Sequence, residues 1–206
     1  ITLGADVHAY QVDATDRAAM SEMIADIENI RPLDLVIANA GISSSAGAGD
    51  GEGEKTRDVF ATNLAGVLNT VLPAVSAMRT RRSGRVAIVS SIVGFRGMPT
   101  APAYSASKVA VKAWGEAIRP QLAKDGIGVT MIYPGFVKSR ITDSNSFSMP
   151  FIMPADRAAK IITAGLRRGK RSITFPWQIN WIMRLLILLP GPLYDALLSK
   201  APKKAT

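Results

Sequence analysis

The sequence predicts an α/β fold, a doubly wound parallel sheet with helices on both faces. Three observations predict it. Short apolar runs rich in β-branched residues alternate with amphipathic stretches along the chain. The runs are apolar on both sides, as in strands sandwiched between helical layers. The residues that end them (Asp13, Asn39-Ala40-Gly41, Ser90-Ser91 and Pro134-Gly135) are poor strand formers, and open α/β sheets bind ligands at that edge.

Taken in order, Val7 to Val12 is a short strand, and Asp13-Ala14-Thr15-Asp16 offers an N-cap before an amphipathic helix from Arg17 to Asn29. Pro32 ends that helix, and Leu33–Ala38 follows as a strand closed by Asn39-Ala40-Gly41. Ser43 to Gly53 reads as a loop of Ser, Gly and Ala. A long helical pattern runs from about Lys55 to Met78, then a strand from Arg85 to Val89 that stops at Ser90-Ser91. A loop punctuated by Gly and Pro leads into the helix of Tyr104, which stops near Gly126. A strand over Val129–Tyr133, a loop to Met153, a helix from Pro154 to about Arg168 and a strand over Ser172–Phe175 complete the alternation. The opening Ile1-Thr2-Leu3-Gly4-Ala5 reads like a helix end and its Gly stop.

Composition narrows the chemistry. A chain of 206 residues with 48% hydrophobic and 20% charged residues can bury a sizeable core. Without cysteine there is neither a disulfide framework nor a thiolate zinc site, and a lone His8 removes Ser-His-Asp and multi-histidine metal chemistry. The net charge of +9 suits an anionic cofactor, an anionic membrane surface or nucleic acid. Nucleic acid is the poorest fit, because the charge is spread along the chain with no aromatic-basic motif.

Tyr104 and Lys108, four residues apart, share one face of a helix. An ammonium beside a phenol should draw the phenol's pKa down from about 10 and make it a proton donor and acceptor. An isolated Tyr-x-x-x-Lys is usually an ordinary surface pair, so its neighbours decide.

Those neighbours resemble the short-chain dehydrogenase/reductase family of classical type, over about residues 5 to 175. Asn39-Ala40-Gly41, Asn63 in Ala-Thr-Asn-Leu, Ser91 thirteen residues before Tyr104, the Tyr104/Lys108 pair, Pro134-Gly135-Phe136-Val137 and Asp13 in Val-Asp-Ala-Thr-Asp match family motifs in order and spacing. The resemblance implies a Rossmann-like sheet and an oxidoreductase that transfers a hydride between NAD or NADP and a carbonyl or secondary alcohol. It implies Asn63, Ser91, Tyr104 and Lys108 as catalytic residues. Cofactor contacts would come from Asp13, Asn39, Ala40, Gly41, Tyr104, Lys108, Pro134, Gly135 and Val137. Ser91 would hold the substrate oxygen, Tyr104 exchange its proton and Lys108 tune Tyr104 and bind the nicotinamide ribose. Asn63 would hold a water that links Lys108 to solvent. Ser90 is the rival of Ser91. Asn63 could instead only bend its helix, Ser91 only cap a strand end, Asp13 only cap a helix, and Gly41 and Gly135 only make turns.

One departure stands out. The family's Gly-rich turn after its first strand is not in this sequence, and Gly47–Gly53 follows the wrong strand and carries acids. The chain therefore reads as a piece of a longer protein that lacks the first two strands. Alone it is expected neither to bind a dinucleotide well nor to catalyse. With those segments goes most of the discrimination between NAD and NADP, and the positive charge leans only slightly to NADP. A non-catalytic nucleotide-binding or scaffolding member of the same fold is the alternative, although such members commonly lose the Tyr or the Lys.

Residues 1–175 read as a partial dinucleotide-binding catalytic domain and 176–206 as an apolar and basic helical extension. The run Trp181–Leu189 falls short of the about 20 residues needed to span a bilayer. Its tryptophans, with Arg167, Arg168, Lys170 and Arg171 before and Lys200, Lys203 and Lys204 after, suit peripheral contact of 177–189 with an anionic membrane. A helix packed over the substrate pocket or a dimer interface explains the same run, so a homo-oligomer is a further expectation. The protein is placed in the cytoplasm, associated with a membrane surface on the first reading. Phe95, Met98, Phe136, Phe147, Met149 and Phe151 in the flanking loops suggest an apolar or lipid-like substrate.

Overall fold

The computed structural model describes residues 4–43, 52–143 and 148–198. Readings that fall on Ile1–Leu3, most of the Ser43–Gly53 loop, Phe147 and Lys200, Lys203 and Lys204 lie outside those residues.

Four parallel strands form one sheet in the order β1-β2-β3-β4: β1 Leu35–Ala38, β2 Gly84–Val89, β3 Ile127–Pro134 and β4 Ser172–Phe175. Their registers pair Ile37 with Ala87, Ala87 with Thr130 and Ile132 with Ile173. Helices are α1 Arg17–Ile30, α2 Glu52–Phe60, α3 Gly66–Arg81, α4 Pro102–Lys124, α5 Arg140–Asp143, α6 Ala155–Arg167, α7 Trp177–Ile187 and α8 Gly191–Leu198. A π-turn over Ala61–Ala65 joins α2 to α3, so the expected long helix is continuous but locally widened by one extra residue.

Side chains alternate cleanly across the sheet. Val36, Val86, Ile88, Val129 and Met131 face α1, α3 and α4, packing with Met20, Ile24, Val67, Val71, Met78 and Val111. Ala87, Ile132, Ile173 and Phe175 face the other way, onto Ala158 and Leu166 of α6. The sheet is therefore covered on both sides, as the sequence predicts. The exception is β1, whose Leu35 and Ile37 are 37% and 45% exposed on the α6 side. Glu28 and Arg81 clamp the far ends of α1 and α3, the guanidinium donating to both carboxylate oxygens and to the Leu33 carbonyl.

The expected strand Val7–Val12 does not form. Residues 7–12 join no ladder, and Val7 and Tyr10 are 56% and 47% exposed. A strand exists only against a neighbour, and among the described residues no strand pairs with it or with the outer edge of β1. α1 is capped by Asp16, whose carboxylate accepts from the Ala18 and Ala19 amides.

The helical segment Gly53–Arg81 is long and apolar enough to cross a membrane by length and composition. It lies against the sheet instead, with Val59, Val67, Val71, Ala74 and Met78 fully buried.

Candidate active site

The carboxyl ends of β1, β2 and β3 bring the sequence-predicted residues to one edge. α4 starts at Pro102 in the position where a missing N–H costs nothing, and its first turns carry Tyr104 and Lys108 on the face turned to that edge. Lys108 is 3% exposed and its ammonium donates to the Val89 carbonyl at the end of β2, at 3.0 Å. The same ammonium stands 5.7 Å from the centre of the Tyr104 ring.

The two serines at the end of β2 do different things. Ser90 is buried and donates to the Lys108 carbonyl at 2.9 Å, so it docks the strand on α4. Ser91 is turned to the cleft. It hydrogen-bonds Tyr104, accepts from the Val93 amide at 3.3 Å and reaches the Pro134 carbonyl at 3.4 Å.

Burial sets the electrostatics. It raises the Tyr104 pKa above the ordinary phenol value, and the Ser91 hydrogen bond opposes only part of that. It also lowers Lys108 to about 8. Burial thus outweighs any downward pull of the Lys108 charge on Tyr104. Both groups sit where charge is poorly solvated, and the ammonium is turned to a carbonyl rather than to the phenol oxygen.

Asn63 sits inside the π-turn with no exposed surface. Its Oδ1 accepts from the Ile42 amide at 2.8 Å, and its Nδ2 donates to the Ile42 carbonyl at 2.9 Å and to Ser107 Oγ at 3.0 Å. Both N–H groups are thus engaged, and the side chain clamps the Ile42 backbone to Ser107 of α4. The clamp fixes the segment after Gly41 against α4. A side chain at Gly41 would bring its Cβ within 3.3 Å of Asn63 Oδ1 and 3.5 Å of Lys108 Nζ.

Asn39 and Ala40 are exposed at the end of β1, and Gly41 is half-buried. Asp13 is exposed too, and its carboxylate accepts from the Thr15 amide and hydroxyl at 2.8 and 2.9 Å, which lowers its pKa. The adjoining turn is held by Asn69, which donates to the Ala14 carbonyl at 3.0 Å. Gly135 follows β3, its amide donating to the Phe175 carbonyl at 2.7 Å, and a Cβ there would lie 2.8 Å from Pro176 Cδ. Val137 bridges Met153 on the opposite side of that loop.

Two positions escape sequence reasoning. Ser107 links Asn63 to the Tyr104 carbonyl, donating at 2.7 Å. Gly94 lets the turn after Ser91 lie on α4, because a Cβ there would be 2.8 Å from the Lys108 carbonyl oxygen. A glycine three residues after Ser91 was the only available signal.

The Gly94–Ala103 loop is tied to the C-terminal helices. Arg96 donates to the Leu186, Ile187 and Leu189 carbonyls at 2.7 to 3.2 Å and lies 3.8 Å from the centre of the Tyr194 ring. Tyr194 donates back to the Gly97 carbonyl at 2.6 Å. α7 buries Met183 and half-buries Ile179 and Leu186, while Trp177, Trp181, Leu185 and Leu188 stay 60 to 79% exposed. The basic residues expected to flank this helix do not: Arg167, Arg168, Lys170 and Arg171 sit before β4 and α7 begins after it, at the opposite end of the strand.

Comparison with known proteins adds the following. A family model described as short chain dehydrogenase matches residues 2–148. An uncharacterized oxidoreductase of Myxococcus xanthus is 38% identical over 194 residues, which is 94% of this chain and 77% of that protein. A 3-oxoacyl-[acyl-carrier-protein] reductase of Staphylococcus aureus is 33% identical over 144 residues, 69% of this chain and 58% of that protein. Among solved structures, a short chain dehydrogenase from Burkholderia cenocepacia in complex with NADP superposes with a TM-score of 0.81 at 20% identity, covering 95% of this chain and 82% of that one.

Proposed function

The chain belongs to the short-chain dehydrogenase family and is an NAD(P)-dependent oxidoreductase, and we propose that it reduces the carbonyl of an apolar substrate through Ser91, Tyr104 and Lys108. The observation that supports this best is the convergence of Ser91, Tyr104 and Lys108 from β2 and α4 on one strand-end edge.

The residues present fit a nicotinamide dinucleotide. Gly41 leaves open the space beside Lys108 that a Cβ would fill, while Gly135 lets Pro176 pack on the end of β3. Asn39, Ala40, Gly41 and Asp13 would hold the adenosine side, and Lys108, Pro134, Gly135 and Val137 the nicotinamide side. Bound there, the cofactor supplies the hydride. The chain supplies the proton and the positioning. Ser91 donates a hydrogen bond to the substrate oxygen, and Tyr104 gives that oxygen its proton as negative charge grows on it. With its pKa raised by burial, Tyr104 carries that proton at neutral pH, and in the reverse direction it would take the proton back. Lys108, anchored on the Val89 carbonyl, would bind the nicotinamide ribose, and Asn63 keeps the Ile42 segment and α4 in register. The net charge of +9 leans only slightly to NADP over NAD.

Residues 1–175 would carry this chemistry, with 176–206 as an extension beside the substrate. Phe95, Met98, Phe136 and Phe151 in the flanking loops would supply apolar contact to such a substrate, and the Staphylococcus aureus relative is named for a 3-oxoacyl substrate. In the complete enzyme, Tyr104→Phe should abolish turnover of a carbonyl panel and leave NADP affinity within about twofold. Unchanged turnover would end the proposal.

A second reading concerns surroundings rather than chemistry. The ridge of Trp177, Trp181, Leu185 and Leu188 suits peripheral contact with a lipid surface. A Trp177→Ser/Trp181→Ser variant that sediments with vesicles as well as the parent does would remove this reading.

A further inference from the structure

At the amino-terminal ends of the strands, opposite the candidate active site, lies a cleft of about 350 Å³. Arg85, Arg119 and Arg171 line it, with Gly128 and Gly169 between them. The arginines come from the start of β2, the last third of α4 and the turn before β4, so the fold gathers three cations from distant stretches of sequence.

Two of the guanidiniums are held in place without being neutralised. Arg85 donates one N–H to the Leu166 carbonyl. Arg119 donates one to the Arg171 carbonyl at 3.1 Å, and its buried Nε has no hydrogen-bond partner. Among the described residues none of the three forms an ion pair. The nearest acid along α4, Glu116, feels Arg119's charge but has its oxygens occupied by Lys112 and the Tyr133 hydroxyl. The glycines leave the Arg85 fork accessible: a Cβ at Gly169 would lie 3.4 Å from its Nη2, and one at Gly128 3.5 Å from its Nε.

Three forked donors around a small cleft match the tetrahedral oxygens of a phosphoryl group, which arginine binds through paired N–H bonds. The volume falls within the range of small-molecule sites. We propose that the cleft of Arg85, Arg119 and Arg171 is a second, non-catalytic site for a phosphate monoester. Arg167 at the end of α6, with Arg168 and Lys170 on the turn that follows, adds to the field that draws such an anion in.

Calorimetric titration of the chain with inorganic phosphate and with glycerol phosphate, in low-chloride buffer, tests this. Saturable binding should weaken at least tenfold in Arg119→Gln and in the surface variant Arg171→Gln. It should stay unchanged in Arg79→Gln, whose arginine is paired with Asp125 elsewhere. Circular dichroism separates lost binding from lost folding, and the exposed position of Arg171 keeps the test open if Arg119→Gln does not fold. Vesicles carrying phosphatidic acid distinguish the source. Co-sedimentation that depends on Arg171 identifies a lipid headgroup, and binding of the soluble ester alone identifies a free metabolite. The proposal falls if no ligand binds by concentrations on the order of 10 mM, if the arginine variants bind as the parent does, or if saturating NADP displaces the phosphate and so assigns it to the cofactor cleft.

Discussion

Replacing Lys108 with methionine should separate what this residue gives the site from what it costs the fold. The ammonium is 3% exposed and has one hydrogen-bond acceptor, the Val89 carbonyl. Burial brings its pKa from 10.5 to about 8. At ~1.36 kcal/mol per pKa unit, keeping the charge inside the fold costs about 3 kcal/mol relative to the neutral amine. Methionine retains most of the stem and loses the hydrogen bond, a loss of about 1 kcal/mol. The ligand-free variant should therefore be more stable at pH 7 by roughly 2 kcal/mol, a rise in Tm of about 4–8 °C for a chain of this size. Turnover in the same variant should be lost. The pH dependence identifies the cause. Between about pH 8 and 10.5 the unfolded chain holds a proton on Lys108 that the native state has released, so wild-type stability climbs across that window. The variant lacks the climb, and its advantage should vanish by the upper end. Paired thermal melts at pH 7 and pH 10 read both effects. A variant less stable than the parent at pH 7, or a difference that ignores pH, would refute the reasoning.

The two serines after β2 should respond differently to alanine. Ser91→Ala should lower kcat on the order of a hundredfold, with little change in Tm. Ser90→Ala should cost about 1 kcal/mol of stability and leave steady-state kinetics near the parent's. Asn63→Ala strips both polar groups of Ile42 of their partner and should destabilise by about 3 kcal/mol. Hydrogen exchange at the Ile42 amide would show the clamp released before the rest of the sheet. Gly135→Ala drives a methyl to 2.8 Å from the Pro176 ring and should cost about 1–3 kcal/mol, read as a lower urea midpoint.

What could be read in advance follows from which forces are local. Strands β1 to β4 and the long helices announce themselves through periodicity and punctuation, and their bounds move by only a few residues. Tyr104, Lys108 and Ser91 were legible because a helix turn and one strand end lie close in sequence. Val7–Val12 has the composition of a strand, but a strand is decided by its neighbour, which composition does not contain. The Tyr104 pKa was misjudged for a similar reason. The Lys108 charge is visible in sequence, whereas the desolvation that outweighs it depends on packing. Asn63 could be picked out, but its partner Ile42 lies 21 residues earlier, beyond any local rule. The arginine cleft was invisible because positions 85, 119 and 171 meet only after the sheet has formed.

β4 is four residues long, about 13 Å at ~3.3 Å per residue, and it separates the arginine-rich turn from the tryptophan ridge of α7. That distance exceeds the screening length of about 8 Å in physiological saline. The two surfaces are therefore electrically independent, although only five residues of sequence separate Arg171 from Trp177. Raising the salt should loosen an anion held at one end and leave an apolar contact at the other untouched. Ionic strength alone can tell which pole of the molecule is engaged.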